Sequence, residues 1–219
     1  MEGLARTPRR LTGDGHTVDL VDPVPKHVAQ AREAGVSAEV GDARALTAGD
    51  ESYDVALLLG PLYHLVEAEN RLAALTEARR VVRPGGLIAA AGISRYAPLL
   101  DYGATTGLAE PEIQARVLER LRTELYPEPR TGLRGAFTVA YYHTSEELLG
   151  EAVWAGLSEC VVYGIEGPAW MMVRAVERHT DTLLVDHPLY EAALAGARLA
   201  DELPVLVDAS AHMLVIGTV

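Results

Sequence analysis

The chain has 219 residues, of which 49% are hydrophobic and 23% charged, and its formal net charge is −12. That length and apolar content suit one α/β domain, residues 1–219, with room for a sizeable core. The acidic balance argues against a nucleic acid as the main partner, because phosphate binding needs a basic surface, but it suits a small cationic ligand. A single cysteine, Cys160, rules out an internal disulfide and C-x-x-C metal spacing, so no metal site is expected. No apolar run approaches the roughly 18 residues of a membrane span. Met1–Arg10 carries basic residues with no apolar run behind them, unlike a secretory signal, and a cytoplasmic location is the expectation.

Met1–Gly15 is polar and ends on Gly13-Asp14-Gly15, a turn signal. Thr17–Val21 reads as a short strand running into Asp22. Pro25 then suits the first turn of a helix that runs to Ala34 and closes at Gly35. Ala38–Val40 is a second short strand, followed by Gly41-Asp42-Ala43-Arg44. Tyr53–Leu59 is a near-continuous apolar run, the pattern of a parallel strand buried on both faces. Ala68–Val82 has helical spacing, with Leu72, Leu75, Arg79 and Val82 on one side. Arg83-Pro84-Gly85-Gly86 stops it before a further apolar strand, Leu87–Ile93. Strand and helix alternate, which predicts an α/β doubly wound, mostly parallel sheet.

The pattern changes after Ser94. Residues 96–142 hold no clear buried strand, and Glu112–Leu125 spaces Ile113, Val117, Leu121 and Leu125 one helical turn apart. Pro111, Pro127, Pro129 and Gly132 surround it, and the segment reads as a helical cap inserted after a core strand. Thr144-Ser145-Glu146-Glu147 is a capping box opening a helix that ends near Gly156. Cys160–Tyr163 is a strand that takes Cys160 as a small buried hydrophobe. Pro188–Leu203 is a late helix, and His212–Ile216 a closing apolar strand in which His212 reads as a satisfied core histidine.

Four segments in this order resemble the class I S-adenosylmethionine (SAM)-dependent methyltransferases: Val18-Asp19-Leu20-Val21-Asp22, Gly41-Asp42-Ala43-Arg44, Tyr53 through Gly60 running into Pro61-Leu62-Tyr63-His64, and Leu75 through Leu87. The later pieces around Tyr142-His143-Thr144, Glu166–Trp170 and Ala209–His212 are similar to a bacterial small-molecule subgroup. The resemblance implies a Rossmann-like fold, SAM as cofactor, and methyl transfer to an O, N or C atom of a small molecule. It implies that Asp22 accepts hydrogen bonds from the ribose hydroxyls, which a carboxylate with two acceptor oxygens can do. Asp42, with Ala43, would meet the adenine, and Leu59 and Gly60 would face the cofactor at the carboxyl edge of the sheet. Tyr63 and His64 follow as candidate catalytic residues, His64 as a general base. Tyr142, His143, Glu166 and Trp170 are candidates for the acceptor pocket beneath the cap.

The chain departs from the family at its start. Members begin with a strand, a glycine-rich loop and a helix before the strand ending at Asp22, which takes roughly 30 residues. Met1–His16 is too short for that unit, so the first strand and the glycine-rich loop are expected to be lacking and SAM binding to be impaired. The absent strand would lie in the middle of the sheet, between the strands near Asp22 and Asp54, and would leave open edges. Three consequences stay open: weak SAM binding, a second chain or homodimer covering the edges, or Gly3–Leu11 patching the gap. A non-catalytic binding or assembly partner is the second functional reading. A nicotinamide-dependent reductase is a third and weaker one, since there is no glycine fingerprint and no tyrosine precedes the sole lysine, Lys26.

Overall fold

The computed structural model describes residues 6–122 and 140–219. Its first element was not assigned from the sequence: within the polar start, Arg6–Gly13 is a helix, α1. Pro8 is tolerated because it stands in the first turn, where backbone donors have no intrahelical partner. Gly15, at φ 93°, closes the helix, with His16 N donating to Leu11 O at 3.1 Å.

A small parallel sheet follows. Strand β1 (Asp19–Asp22) pairs with β2 (Ser37–Val40), in register from Asp19 opposite Ser37 to Asp22 opposite Val40. Helix α2 (Pro25–Glu33) crosses between them, with proline in its first turn and Gly35 at φ 81° just past its end. Strand β3 (Tyr53–Leu58), the short α3 (Pro61–His64), α4 (Ala68–Val81) and β4 (Val82–Ser94) begin the larger sheet. It is completed by β5 (Tyr142–His143), α7 (Ser145–Trp154), β6 (Ser158–Gly164) and β7 (His212–Thr218), in the order β3-β4-β7-β6 with β5 on the end of β4. Strand β3 and β5 run parallel to β4, whereas β7 is antiparallel to both β4 and β6.

One face of the larger sheet carries the core. Leu58, Ile88, Ala90, Met213 and Val215 pack against Leu75 and Ala78 of α4 and Leu148 and Ala152 of α7. Each fully buried Leu, Ile or Val contributes about 1.5–3 kcal/mol relative to exposure. Helix α4 turns a different face inward from the one its spacing suggests: Arg71, Ala74, Leu75, Ala78 and Val81 are its buried residues, and Val82 already belongs to β4.

The opposite face differs from the expectation of a doubly buried strand. Val55, Leu57 and Leu59 are 47%, 44% and 45% exposed, as is Leu87 beside Val55. The reason is topological: β3 is the edge of the larger sheet, β1 is an edge of the smaller one, and among the described residues no strand lies between them. The division falls between the strands that end near Asp22 and begin near Asp54.

After β4 come α5 (Ala97–Ala104), a 3₁₀ turn at Gly107–Ala109 and α6 (Pro111–Leu121). Leu99, Leu108, Gln114, Val117, Leu118 and Leu121 line a shallow, open depression of about 320 Å³ there. Leu125, Pro127, Pro129 and Gly132 of the expected cap lie outside the described residues. Helix α8 (Trp170–Thr180) was not anticipated, because Arg174, Glu177, Arg178 and His179 leave it only a narrow apolar stripe. It packs on α5 and on α9 (Pro188–Ala200).

Candidate cofactor and acceptor site

The residues expected on the cofactor side stand at three strand ends. In β1 and β2, Asp22 and Val40 are paired last residues, and Gly41 N donates to Asp22 O at 3.2 Å, so Asp22 and Asp42 leave the small sheet side by side. Strands β1 and β3 are tethered at their first residues, Tyr53 Oη donating to Asp19 Oδ2 at 3.0 Å.

Asp22 is a half-used acceptor. Its Oδ1 takes Val24 N at 2.8 Å and meets His27 Nδ1 at 3.1 Å, while Oδ2 takes no hydrogen bond among the described residues. The side chain retains 16% exposure, so Oδ2 is accessible to a hydroxyl pair. Asp42 is different. Arg44 donates to its Oδ1 from the backbone N and Nε at 2.9 and 3.0 Å, and to Oδ2 from Nε and Nη2 at 3.2 and 2.6 Å. These bonds hold its carboxyl down at about 2. Each oxygen already accepts two bonds, so an exocyclic amine can be received only if Arg44 swings aside. Arg44 is itself anchored to Asn70 Oδ1 at 2.9 Å. Ala43 packs on the core beside this pair.

Leu59 and Gly60 lead into α3. Tyr63 Oη donates back to Leu59 O at 3.0 Å, bending the turn onto itself, and burial pushes the Tyr63 phenol up. A Cβ on Gly60 would lie 3.7 Å from that hydroxyl, an ordinary contact. His64 is exposed at the end of α3, its ring 4.7 Å from that of Tyr63.

The acceptor-side candidates divide. Tyr142 is half-buried on β5, against the last residues of β4. His143 is wholly buried, with Nε2 3.3 Å from Glu151 Oε2 and Nδ1 unpartnered among the described residues. It belongs to a network that sequence reasoning did not find. Arg71 donates to Glu151 Oε1 at 2.8 Å and to the carbonyls of Leu65 and Val66 at 3.1 and 2.7 Å. Its guanidinium lies over the ring of Tyr141, whose N donates to Tyr63 O at 2.9 Å. Arg71 thus ties the Tyr63–Val66 turn to the Tyr141–His143 segment.

Glu166 follows β6 at the same end of the sheet as Tyr142: it bonds His212, which lies opposite Ile93 on β4, and Ile93 lies opposite Tyr142 on its other side. Glu166 Oε2 accepts Ser210 Oγ at 2.8 Å and His212 N at 2.9 Å, and Oε1 meets His212 Nδ1. His212, read from sequence as a core histidine, is instead 52% exposed at the start of β7 and paired with this carboxylate. Trp170 stands edge-on to Tyr190 of α9 and packs in a small cluster with Val173, Leu184 and Ala193. Cys160, half-buried on β6, packs against the core, and burial pushes its thiol up.

Among the described residues no group of three or more His, Cys, Asp or Glu is placed to hold a metal, and no helix is long and apolar enough to cross a membrane.

Residues 3–90 match the family model for the methyltransferase domain. That match covers the N-terminal part of the chain. Solved structures of this fold are similar across much of the chain. A SAM-dependent methyltransferase from Methanosarcina mazei is 16% identical over 72% of this chain and 77% of its own, with a TM-score of 0.56. A possible histamine N-methyltransferase from Thermotoga maritima is 19% identical over 99% of this chain and 78% of its own, at 0.54. Phosphoethanolamine N-methyltransferase 2 of Haemonchus contortus, solved with SAM, is 16% identical over 99% of this chain and 46% of its own, at 0.55. No curated protein sequence matches the chain. The α/β fold with its mixed sheet matches those structures.

Proposed function

We propose that this protein is a SAM-dependent methyltransferase that transfers the methyl group to an O, N or C atom of a small molecule. The observation that carries the reading is Asp22: a partly exposed carboxylate at the end of β1, with one oxygen fixed by Val24 N and His27 and the other open. In this reading Asp22 Oδ2 receives the ribose hydroxyls, and Leu59 and Gly60 border the cofactor. Asp42 is the adenine-side carboxylate once Arg44 releases it. Bound SAM supplies an activated sulfonium methyl, so the protein's task is alignment and exclusion of water. Tyr63 and His64 stand at the turn beyond β3, and in this reading His64 takes a proton from the acceptor.

A non-catalytic binding role is the second reading, and the full occupancy of Asp42 by Arg44 favours it. Calorimetric titration with S-adenosylhomocysteine, together with the mass in solution, separates the two. The methyltransferase reading expects micromolar binding that is weakened by Asp22→Asn. A folded sample with no binding overturns it in favour of the non-catalytic role.

A further inference from the structure

One buried arginine joins four stretches of chain. Arg71, on α4 and 2% exposed, donates from Nη1 to the carbonyls of Leu65 and Val66, which lead out of α3. Its Nε donates to Glu151 Oε1 on α7 at 2.8 Å, and its Nη2 lies 2.7 Å from the same oxygen. The guanidinium stands over the ring of Tyr141, just before β5, and Tyr141 N donates to Tyr63 O within α3. The other oxygen of Glu151 meets His143 Nε2.

A buried ion pair is poor grounds for stability, because well-packed apolar side chains of similar volume often leave a fold equally stable or more so. What apolar side chains cannot do is receive a carboxylate and two carbonyls in fixed directions, as the planar fork of arginine does. The segment it receives cannot hold its own place. Helix α3 has four residues, too few to be stable alone, and its end closes with Leu65 N donating to Pro61 O at 2.9 Å. Leu62 anchors one side of it in the core, whereas Tyr63 is half-buried and His64 exposed. We propose that Arg71 is a positioning residue: by fixing Leu65, Val66 and Tyr141 at once, it sets the place of Tyr63 and His64 against the Tyr141–His143 segment. Glu151, held by His143, orients the guanidinium for that task. What the placement serves rests on the methyltransferase reading, in which Tyr63 and His64 meet the acceptor; the placement itself does not.

The Arg71→Lys variant of the full chain tests it. Lysine keeps a cation beside Glu151, but its single nitrogen cannot reach the carboxylate and both carbonyls as the fork does. Amide hydrogen exchange is read at Leu65 and Tyr141, whose bonds to Pro61 O and Tyr63 O report the turn and its tie. Both amides should exchange about tenfold faster than in wild type, with Leu148 of α7 and Val215 of β7 unchanged. The His64 ring gives a spectroscopic readout: its NMR signal should move toward that of an unstructured histidine, as the Tyr63 ring 4.7 Å away loses its fixed orientation. The double variant Arg71→Met, Glu151→Leu removes both charges together and should show the same local loss, so the comparison stands even where the lysine variant fails to fold. The proposal is overturned if both amides and the His64 signal keep wild-type values in a folded variant. It is equally overturned if Leu148 and Val215 lose protection by the same factor, since Arg71 would then support the whole fold rather than the turn. Titration of the wild type with S-adenosylhomocysteine reports separately on the methyltransferase reading, and its failure leaves the exchange comparison intact.

Discussion

The guanidinium carbon of Arg71 lies 3.6 Å from the centroid of the Tyr141 ring. Arg71 is 2% exposed, and the carboxylate facing it, Glu151, is also bonded to buried His143. Burial alone would raise the Glu151 carboxyl, but the bonds from His143 and Arg71 outweigh it and hold the group below the usual range. Removing the cation leaves a buried charge without its partner. Arg71→Met is expected to destabilise the fold by about 3–5 kcal/mol, measured by urea unfolding. Arg71→Met combined with Glu151→Leu should recover part of the loss.

Gly86 is required by close approach. A Cβ there would stand 2.5 Å from Val82 Cγ1 and 2.6 Å from Asp54 O, the latter a backbone atom that cannot rotate away. Gly86→Ala should therefore cost about 1–3 kcal/mol, the range for overpacking. Gly13→Ala, where nothing lies within 4 Å, is the control and should change the melting temperature little.

The Glu166–His212 pair makes stability depend on pH in two directions. The bond to Glu166 raises His212 above its ordinary 6.5 against the opposing effect of burial. That contribution is fully present below about pH 6.5 and is lost as pH rises through the raised value. Burial would raise Glu166, but its bonds to His212 and Ser210 hold it below 4.5. That contribution is present above about pH 4.5 and is lost as pH falls through the lowered value. Melting temperatures of wild type and His212→Ala should differ most between about pH 4.5 and 6.5 and converge on either side. A constant difference across pH 4–9 would contradict the pairing.

Two substitutions on the cofactor side should act in opposite directions. Asp22→Asn is expected to weaken S-adenosylhomocysteine binding by about ten- to a hundredfold, the scale of a hydrogen bond to a charged group. Arg44→Ala frees Asp42, whose carboxyl should titrate upward from about 2 toward 3.8 in an NMR pH series. Calorimetry on the same variant should show equal or tighter binding, because the acceptor oxygens no longer have to be released.

What the sequence determined by itself was local. Pro25 and Gly35 mark the ends of α2, Thr144 and Glu147 close the capping box of α7, and apolar runs locate β3 and β7, because propensity, caps and short-range periodicity act between neighbours along the chain. The order of Asp22, Asp42 and Gly60 at successive strand ends was equally legible, since each follows its strand directly. Tertiary structure alone decided the rest. Arg71 and Glu151 are 80 positions apart, and only the packing of α4 against α7 makes a buried arginine affordable. His143 went to the core and His212 to the surface for the same reason: a residue's surroundings are set by which elements meet, and that is not written in its neighbours. The exposed face of β3 follows likewise, because an apolar run predicts a strand but not how many partners it finds.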